Sequence, residues 1–380
     1  MQRPILMTLV CLILLFATAC TGEVTGDESA ITTTPTREEA TEPTPAATLS
    51  PTFHLPDDAE DVGWLTHNRG KVESLAFSPD GRILATGHNN GDVVLWEMAT
   101  GEELQLLPHP QHQGSGHDLA FNPDGSLLAV AEAFVGQVTL WDVSSGEKLR
   151  TLDAEGAMGQ PLTDVAFSPD GSLLVAAKSS GQSVEPAGRT FVWRTADWQQ
   201  LHVLEDAAPP VAFSPDGRQL FTLSGVAFAA WMPDRELAPF IQWDLERGER
   251  IGEIPVDGFV ISLALSPDGK MLAANVAQMG VTSFTLLLDT ANNAILHTLP
   301  APDGITGPDT VNFSPNGSQL AVGYQPNKAI IWDTTTGEAV RDLNGPADWF
   351  RYPTFSPDGA FLAGDSSDGR ILLWEMPENN

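Results

Sequence analysis

Between residues 72 and 107 the chain alternates short apolar runs with clusters of turn-forming residues, and it shows no extended helical period. The runs are Val72 to Phe77, Ile83 to Gly87, Val93 to Trp96 and Leu104 to Leu107, rich in β-forming side chains. Between the first two stands Ser78-Pro79-Asp80-Gly81. There Pro presets φ, Asp can bond back to the backbone and Gly accepts a positive φ, so the chain reverses. Asn89-Asn90-Gly91-Asp92 turns it again, and Thr100-Gly101-Glu102 leads into the fourth run. The pattern predicts four antiparallel strands in one small sheet. Such a sheet is apolar on both faces and has to stack against neighbours.

The pattern then repeats. Phe77-Ser78-Pro79-Asp80-Gly81 returns, with small changes, from Phe121, Phe167, Phe213, Leu265, Phe313 and Phe355, which makes seven copies about 46 residues apart. An apolar run ending in Trp and usually an acid follows most copies: Trp96-Glu97, Trp141-Asp142, Trp332-Asp333 and Trp374-Glu375, with Trp193-Arg194 and Trp243-Asp244 after longer gaps. The fifth copy has Leu288-Asp289 instead. Over roughly residues 61 to 376 this register resembles the WD-repeat family. The resemblance implies an all-β chain, a seven-bladed β-propeller of four-stranded antiparallel blades. Only six residues follow Trp374, so the last blade would lack its fourth strand, while Asp61 to Thr66 resembles the fourth strands elsewhere. An N-terminal strand is therefore expected to complete the last blade and remove the open edges.

Members of that family often carry a His, Ser, Asp, Trp hydrogen-bond network in each blade. The last repeat keeps Ser366, Asp368 and Trp374 at the expected spacings, but Asn90, Val135 and Pro326 stand at the Asp position of three others. The decay points to blades held mainly by apolar packing.

The amino-terminal end has a different character. Arg3 precedes an apolar run from Ile5 to Ala17 broken only by Thr8, and Ala17, Thr18 and Ala19 lead to Cys20. That order is that of a secretory signal peptide, and 13 residues fall short of the roughly 20 a spanning helix needs. Phe16 to Cys20 also resembles the lipobox of bacterial lipoproteins, with Ala17 in place of the usual Leu. The resemblance implies lipidation of Cys20, loss of Cys11 with the signal, and a mature chain without a free thiol. Residues 1–19 are thus read as a lipoprotein signal peptide, 20–60 as a Thr/Pro/Glu-rich disordered tether, and 61–380 as the propeller. A coil of such length spans roughly 35 Å. The expected location is the outer side of the cytoplasmic membrane, or the outer membrane.

Charge narrows the partners. Nineteen Lys and Arg against 50 Asp and Glu give a net charge of -31, which argues against nucleic acid and anionic membrane surfaces. No nucleophile elbow, His-Glu-x-x-His, phosphate loop or dinucleotide fingerprint is present, and no cofactor or catalytic residue is assigned. Turn chemistry accounts for the Asp and Asn of the seven turns without a metal ion. His109, His112 and His117 lie close in sequence but in a flexible, Pro- and Gly-containing stretch, so they are not read as a metal site.

Loop length is the most informative asymmetry. In a propeller the first-to-second and third-to-fourth turns share one face, and these are short here. Insertions at Pro108 to His117, Lys178 to Arg189, Gly225 to Phe240, Pro300 to Asp309 and Asn344 to Arg351 fall on the other. Two of them carry large apolar groups, Phe228, Trp231 and Met232 in one and Trp349 and Phe350 in the other. These five are the candidate partner-binding residues, since aromatic anchors dominate interface energetics. The expected function is a monomeric, membrane-anchored scaffold binding a protein or envelope ligand. The alternatives are a propeller hydrolase or lactonase working at the central channel, and a small-ligand sensor.

Overall fold

The computed structural model describes residues 62–66, 71–107, 117–132, 136–154, 162–178, 188–224, 239–256, 258–277, 283–302, 307–325, 328–344, 350–366 and 370–377. In the first repeat the strands are Val72–Phe77, Ile83–His88, Val93–Glu97 and Glu103–Leu107, each within a residue of the run that predicts it. Their sheet order follows the sequence, and six such antiparallel sheets succeed one another along the chain. The seventh is composite. Val62–Thr66 pairs with Arg370–Glu375 in the register Val62 to Trp374 through Thr66 to Arg370, supplying the outer strand that the carboxyl-terminal repeat lacks. The innermost strands touch in succession, and Phe350–Phe355 returns to Val72–Phe77. The fold is a closed seven-bladed β-propeller, with no helix among the described residues.

The repeated Phe and Trp are explained by register. In blade 1, Phe77 pairs with Leu84 and Leu84 with Trp96, so the three stand in a row across the sheet. Blade 4 repeats this with Phe213, Leu220 and Trp243, and blade 5 with Leu265, Leu272 and Leu288. The Phe and Trp of each row point into the cleft against the preceding blade. Trp141 joins Leu95 and Leu107 of blade 1, and Trp96 joins Leu65 and Leu373 of the composite blade. There are seven such clusters, one per cleft. Leu288 fills the Trp slot between blades 4 and 5. The core is therefore a ring of seven layers, as two-faced sheets require.

The Ser-Pro-Asp-Gly turns serve this stacking as well as reversing the chain. Ser78 Oγ donates to Asp80 at 2.7 Å and accepts from the Ile83 N–H at 2.9 Å. Gly269 shows why the last position is glycine. Its φ is +72°, and a Cβ there would meet Pro215 Cδ of the preceding blade at 2.7 Å. The same Pro-to-Gly seating recurs around the ring and closes it, where a Cβ on Gly81 would fall 3.6 Å from Pro357 Cδ. At the rim, the outer strands reach the next blade's third-to-fourth turn. Gln105 Nε2 donates to the Ser145 carbonyl at 3.0 Å; in the composite blade, which has no such turn, Arg341 donates to the carbonyl of Glu375 at the end of the third strand, at 2.7 Å.

One sequence expectation needs correction. The indole N–H of Trp96 donates to Thr86 Oγ1 and that of Trp243 to Thr222 Oγ1, both at 3.0 Å, and Thr86 also meets His88 Nε2 at 2.9 Å. Thr86 and Thr222 lie two residues beyond the Leu that pairs with Trp. In the last blade that step holds Gly364, not Ser366. Counting back from Trp without the register misplaces the serine by two residues. Asp368, Val135 and Pro326 lie outside the described residues, and Asn90 accepts from the Asp92 N–H within its turn.

Candidate functional site

The two ends of the propeller differ, and the strand directions show how. Each innermost strand starts from the connection entering the blade and runs to its Pro-Asp-Gly turn. The short turns therefore gather at one end, where the Pro-to-Gly contacts and outer-strand bonds already engage them. The connections with insertions leave and enter at the other end: Leu223 to Phe240, Lys178 to Arg189, and Asn344 to Phe350. Phe228, Trp231, Met232 and Trp349 lie outside the described residues, as do Cys20, His109 and His112. Phe350 opens the innermost strand of the last blade, its backbone paired with Ser366. His117 likewise opens a strand, paired with Glu132.

A cavity of about 470 Å³ lies on the axis, lined by the innermost strands of blades 6, 7, 1, 2 and 3. Glu73, Asp118 and Thr163 come from the first halves of their strands, and Val311, Asn312 and Thr354 from the second halves of theirs, so the cavity runs along the strands. Sequence reasoning missed this wall. Its key position lies three residues before each Phe-Ser-Pro-Asp-Gly phrase: Ser74, Asp118, Asp164, Pro210, Ser262, Thr310 and Tyr352. Four of these side chains accept a backbone N–H from the next blade. Asp118 takes it from Val165 and Asp164 from Val211, both at 2.8 Å, and Ser262 from Val311 at 3.2 Å. Thr310 accepts from Tyr352 at 3.2 Å, one residue earlier, because Pro353 at the usual step has no N–H. A polar residue at a fixed step before six of the seven turns, with Pro210 the exception, was the available signal.

Asp118 and Asp164 are neighbours along this inner ring and hydrogen-bond each other. Burial pushes both carboxyls up, and the charge on Asp118 pushes Asp164 well above the usual carboxylate range. Two carboxyls set this close disfavour both being charged at once, and Asp164 carries the larger upward shift. The turn acids go the other way. Hydrogen bonds from Ser168 and the Ser172 N–H hold Asp170 down, and Lys270 with its own N–H brings Asp268 to about 2.

Comparison with known proteins agrees with the architecture. Residues 62–115 match the anaphase-promoting complex subunit 4 WD40 domain, and residues 146–184 and 337–375 match the WD domain, G-beta repeat. The nuclear distribution protein PAC1 of Arthroderma otae is 37% identical over 68 residues, covering 18% of this chain and 15% of PAC1. A WD repeat-containing protein of Synechocystis is 29% identical over 124 residues, 32% of this chain and 34% of that protein. The small ribosomal subunit protein RACK1y of Oryza sativa is 30% identical over 127 residues, 32% of this chain and 35% of RACK1y. The chain thus spans at most about a third of the length of these relatives. With the seven blades, these matches support a WD-repeat protein.

The raised pKa of Asp164 has a consequence for stability. A folded-state pKa raised above the unfolded value adds stability that is full at low pH and lost as pH climbs from the ordinary carboxylate range through the raised value. Asp164→Asn keeps an oxygen for the Val211 N–H and offers amide hydrogens to Asp118. The variant should melt about 2–4 °C above the parent at pH 8 and together with it at pH 4. Scanning calorimetry at both pH values measures this. A variant that melts below the parent at pH 8 means that Asp164 has no raised pKa.

Proposed function

We propose that the chain is an exported, lipid-anchored WD-repeat scaffold whose insertion-bearing face captures a protein partner outside the cytoplasmic membrane. The observation that carries this reading is the difference between the two ends. One end is occupied by turns that seat against neighbouring blades, so its residues are committed to the ring. The other carries the connections that vary in length and hold Phe228, Trp231, Met232 and Trp349, with Phe350 beside them. Variable loops on a rigid scaffold are where binding residues concentrate, and aromatic anchors supply most of an interface's energy.

Two resemblances support the scaffold role, since they are to components of larger assemblies: an anaphase-promoting complex subunit and a small ribosomal subunit protein. The anchor rests on Cys20 and on the apolar run before it. A tether reaching roughly 35 Å would hold the propeller clear of the headgroups while keeping it at the surface.

Two measurements test these parts separately. In cells fed radiolabelled palmitate, Cys20→Ser should lose the label and move the protein to the soluble fraction; continued membrane association overturns the anchor. The double variant Trp231→Ala, Trp349→Ala should keep the parent's melting temperature while recovery of the cross-linked partner falls about tenfold or more. Undiminished recovery would place binding elsewhere on the molecule.

A further inference from the structure

Away from the loops, the rim of the propeller carries a repeated feature. Five outermost strands expose a large aliphatic side chain at the same step: Leu104, Leu149, Ile251, Leu296 and Val340. Each is the extra residue of a β-bulge. In blade 1, Leu95 pairs with Gln105 and Trp96 with Glu103, which passes over Leu104, and the registers of the other four blades pass over their residue in the same way. A bulge blunts a sheet edge against further strand pairing, so the rim offers side chains and not open backbone. Single exposed aliphatic residues are ordinary on a protein surface. Charge sets two of these apart.

Blades 1 and 2 present opposite charge beside their leucines. Glu102 and Glu103 precede Leu104, while Lys148 and Arg150 flank Leu149 and outweigh Glu147. All of these side chains are exposed, Leu104 by 50% and Leu149 by 54%. The two edges adjoin, because Gln105 of blade 1 bonds the Ser145 carbonyl and lies over Gly146 of blade 2. Cations on other outermost strands are engaged: Arg250 pairs with Glu253 and Asp206, and Arg341 donates to the Glu375 carbonyl. Lys148 and Arg150 make no ion pair or side-chain hydrogen bond among the described residues. An acidic and a basic edge side by side, each with an exposed leucine, form a self-complementary surface, since a two-fold rotation lays each edge on the other. A single foreign segment would answer only one of them.

We propose that this seam binds a second copy of the chain. With the two-fold parallel to the propeller axis, Leu104 meets the partner's Leu149, and Lys148 and Arg150 meet the acidic edge formed by the partner's Glu102 and Glu103, each contact occurring twice. The rotation keeps both turn ends, where Val62 enters the composite blade, on one side and both insertion-bearing faces on the other. Two copies tethered to one surface require that arrangement, although the contact itself does not depend on the anchor.

Sedimentation equilibrium of the full chain bearing Cys20→Ser, which removes lipid-driven association, tests this in 0.15 M NaCl, where repulsion between two acidic chains is screened beyond roughly 8 Å and contacting pairs are screened far less. The expected result is a reversible monomer–dimer equilibrium whose dissociation constant rises at least tenfold with Leu149→Asp and is unchanged by Ile251→Asp on the bulge of blade 4. The double variants Lys148→Glu, Arg150→Glu and Glu102→Lys, Glu103→Lys should each be monomeric alone, and an equimolar mixture of the two should dimerise as the parent does. Melting temperatures matching the parent's establish that the variants are folded. A parent that stays monomeric at every concentration overturns the proposal, as does an equal loss from Ile251→Asp or a mixture of the two double variants that fails to associate.

Discussion

Everything in this protein depends on the cleft between blades. Each four-stranded sheet is apolar on both faces, and its Phe–Leu–Trp row finds cover only against the blade before it. Burying one such large side chain contributes roughly 1.5–3 kcal/mol, and a blade alone would forfeit it on both sides. A linear stack would leave two blades half covered. Closing the stack into a ring covers all seven, and the ring closes because Val62–Thr66 completes the last sheet and brings Leu65 into the cleft that blade 1 shares with it. Leu107 plays the same part between blades 1 and 2, which shows that the terminal strand is a displaced fourth strand.

Three further sets of contacts run around the ring at different radii. Near the axis, side chains of the innermost strands accept N–H groups from the next blade. At the turn end, each turn glycine, held at positive φ, seats against the preceding blade's proline, and at the rim outer strands reach the following turn. Two of the three use the turn end, and this dictates where function can go. A residue inserted into a turn that seats against its neighbour disturbs a cleft, while one inserted into the connections at the other end meets solvent. The inner set leaves its own mark, because circling the axis with acceptors brings Asp118 and Asp164 within hydrogen-bonding reach of each other.

Much of this was legible in the sequence. Seven turn phrases gave the blade count, and strand ends followed to within a residue because Pro, Asp and Gly mark them chemically. The composite blade was legible from the six residues after Trp374. The hydrogen-bond partner of Trp was not, since its position follows the strand pairing and spacing alone pointed to Ser366 where the register has Gly364. The carboxyl pair was missed for a related reason. Asp118 and Asp164 lie a full repeat apart and carry no motif of their own, so only the ring brings them together. Leu288 shows the converse, a departure from the pattern that the cleft accepts because it needs bulk and apolarity there, not an indole.

The most direct test of closure removes the strand that performs it. Deleting Asp61 to Thr66 strips the outer edge from Arg370–Glu375 and uncovers the cleft that Leu65 fills. Measured by circular dichroism and tryptophan fluorescence, the melting temperature of the deleted chain should fall by roughly 5–10 °C or more, with both probes moving together. A chain that melts with the parent would show that the ring holds without its composite blade.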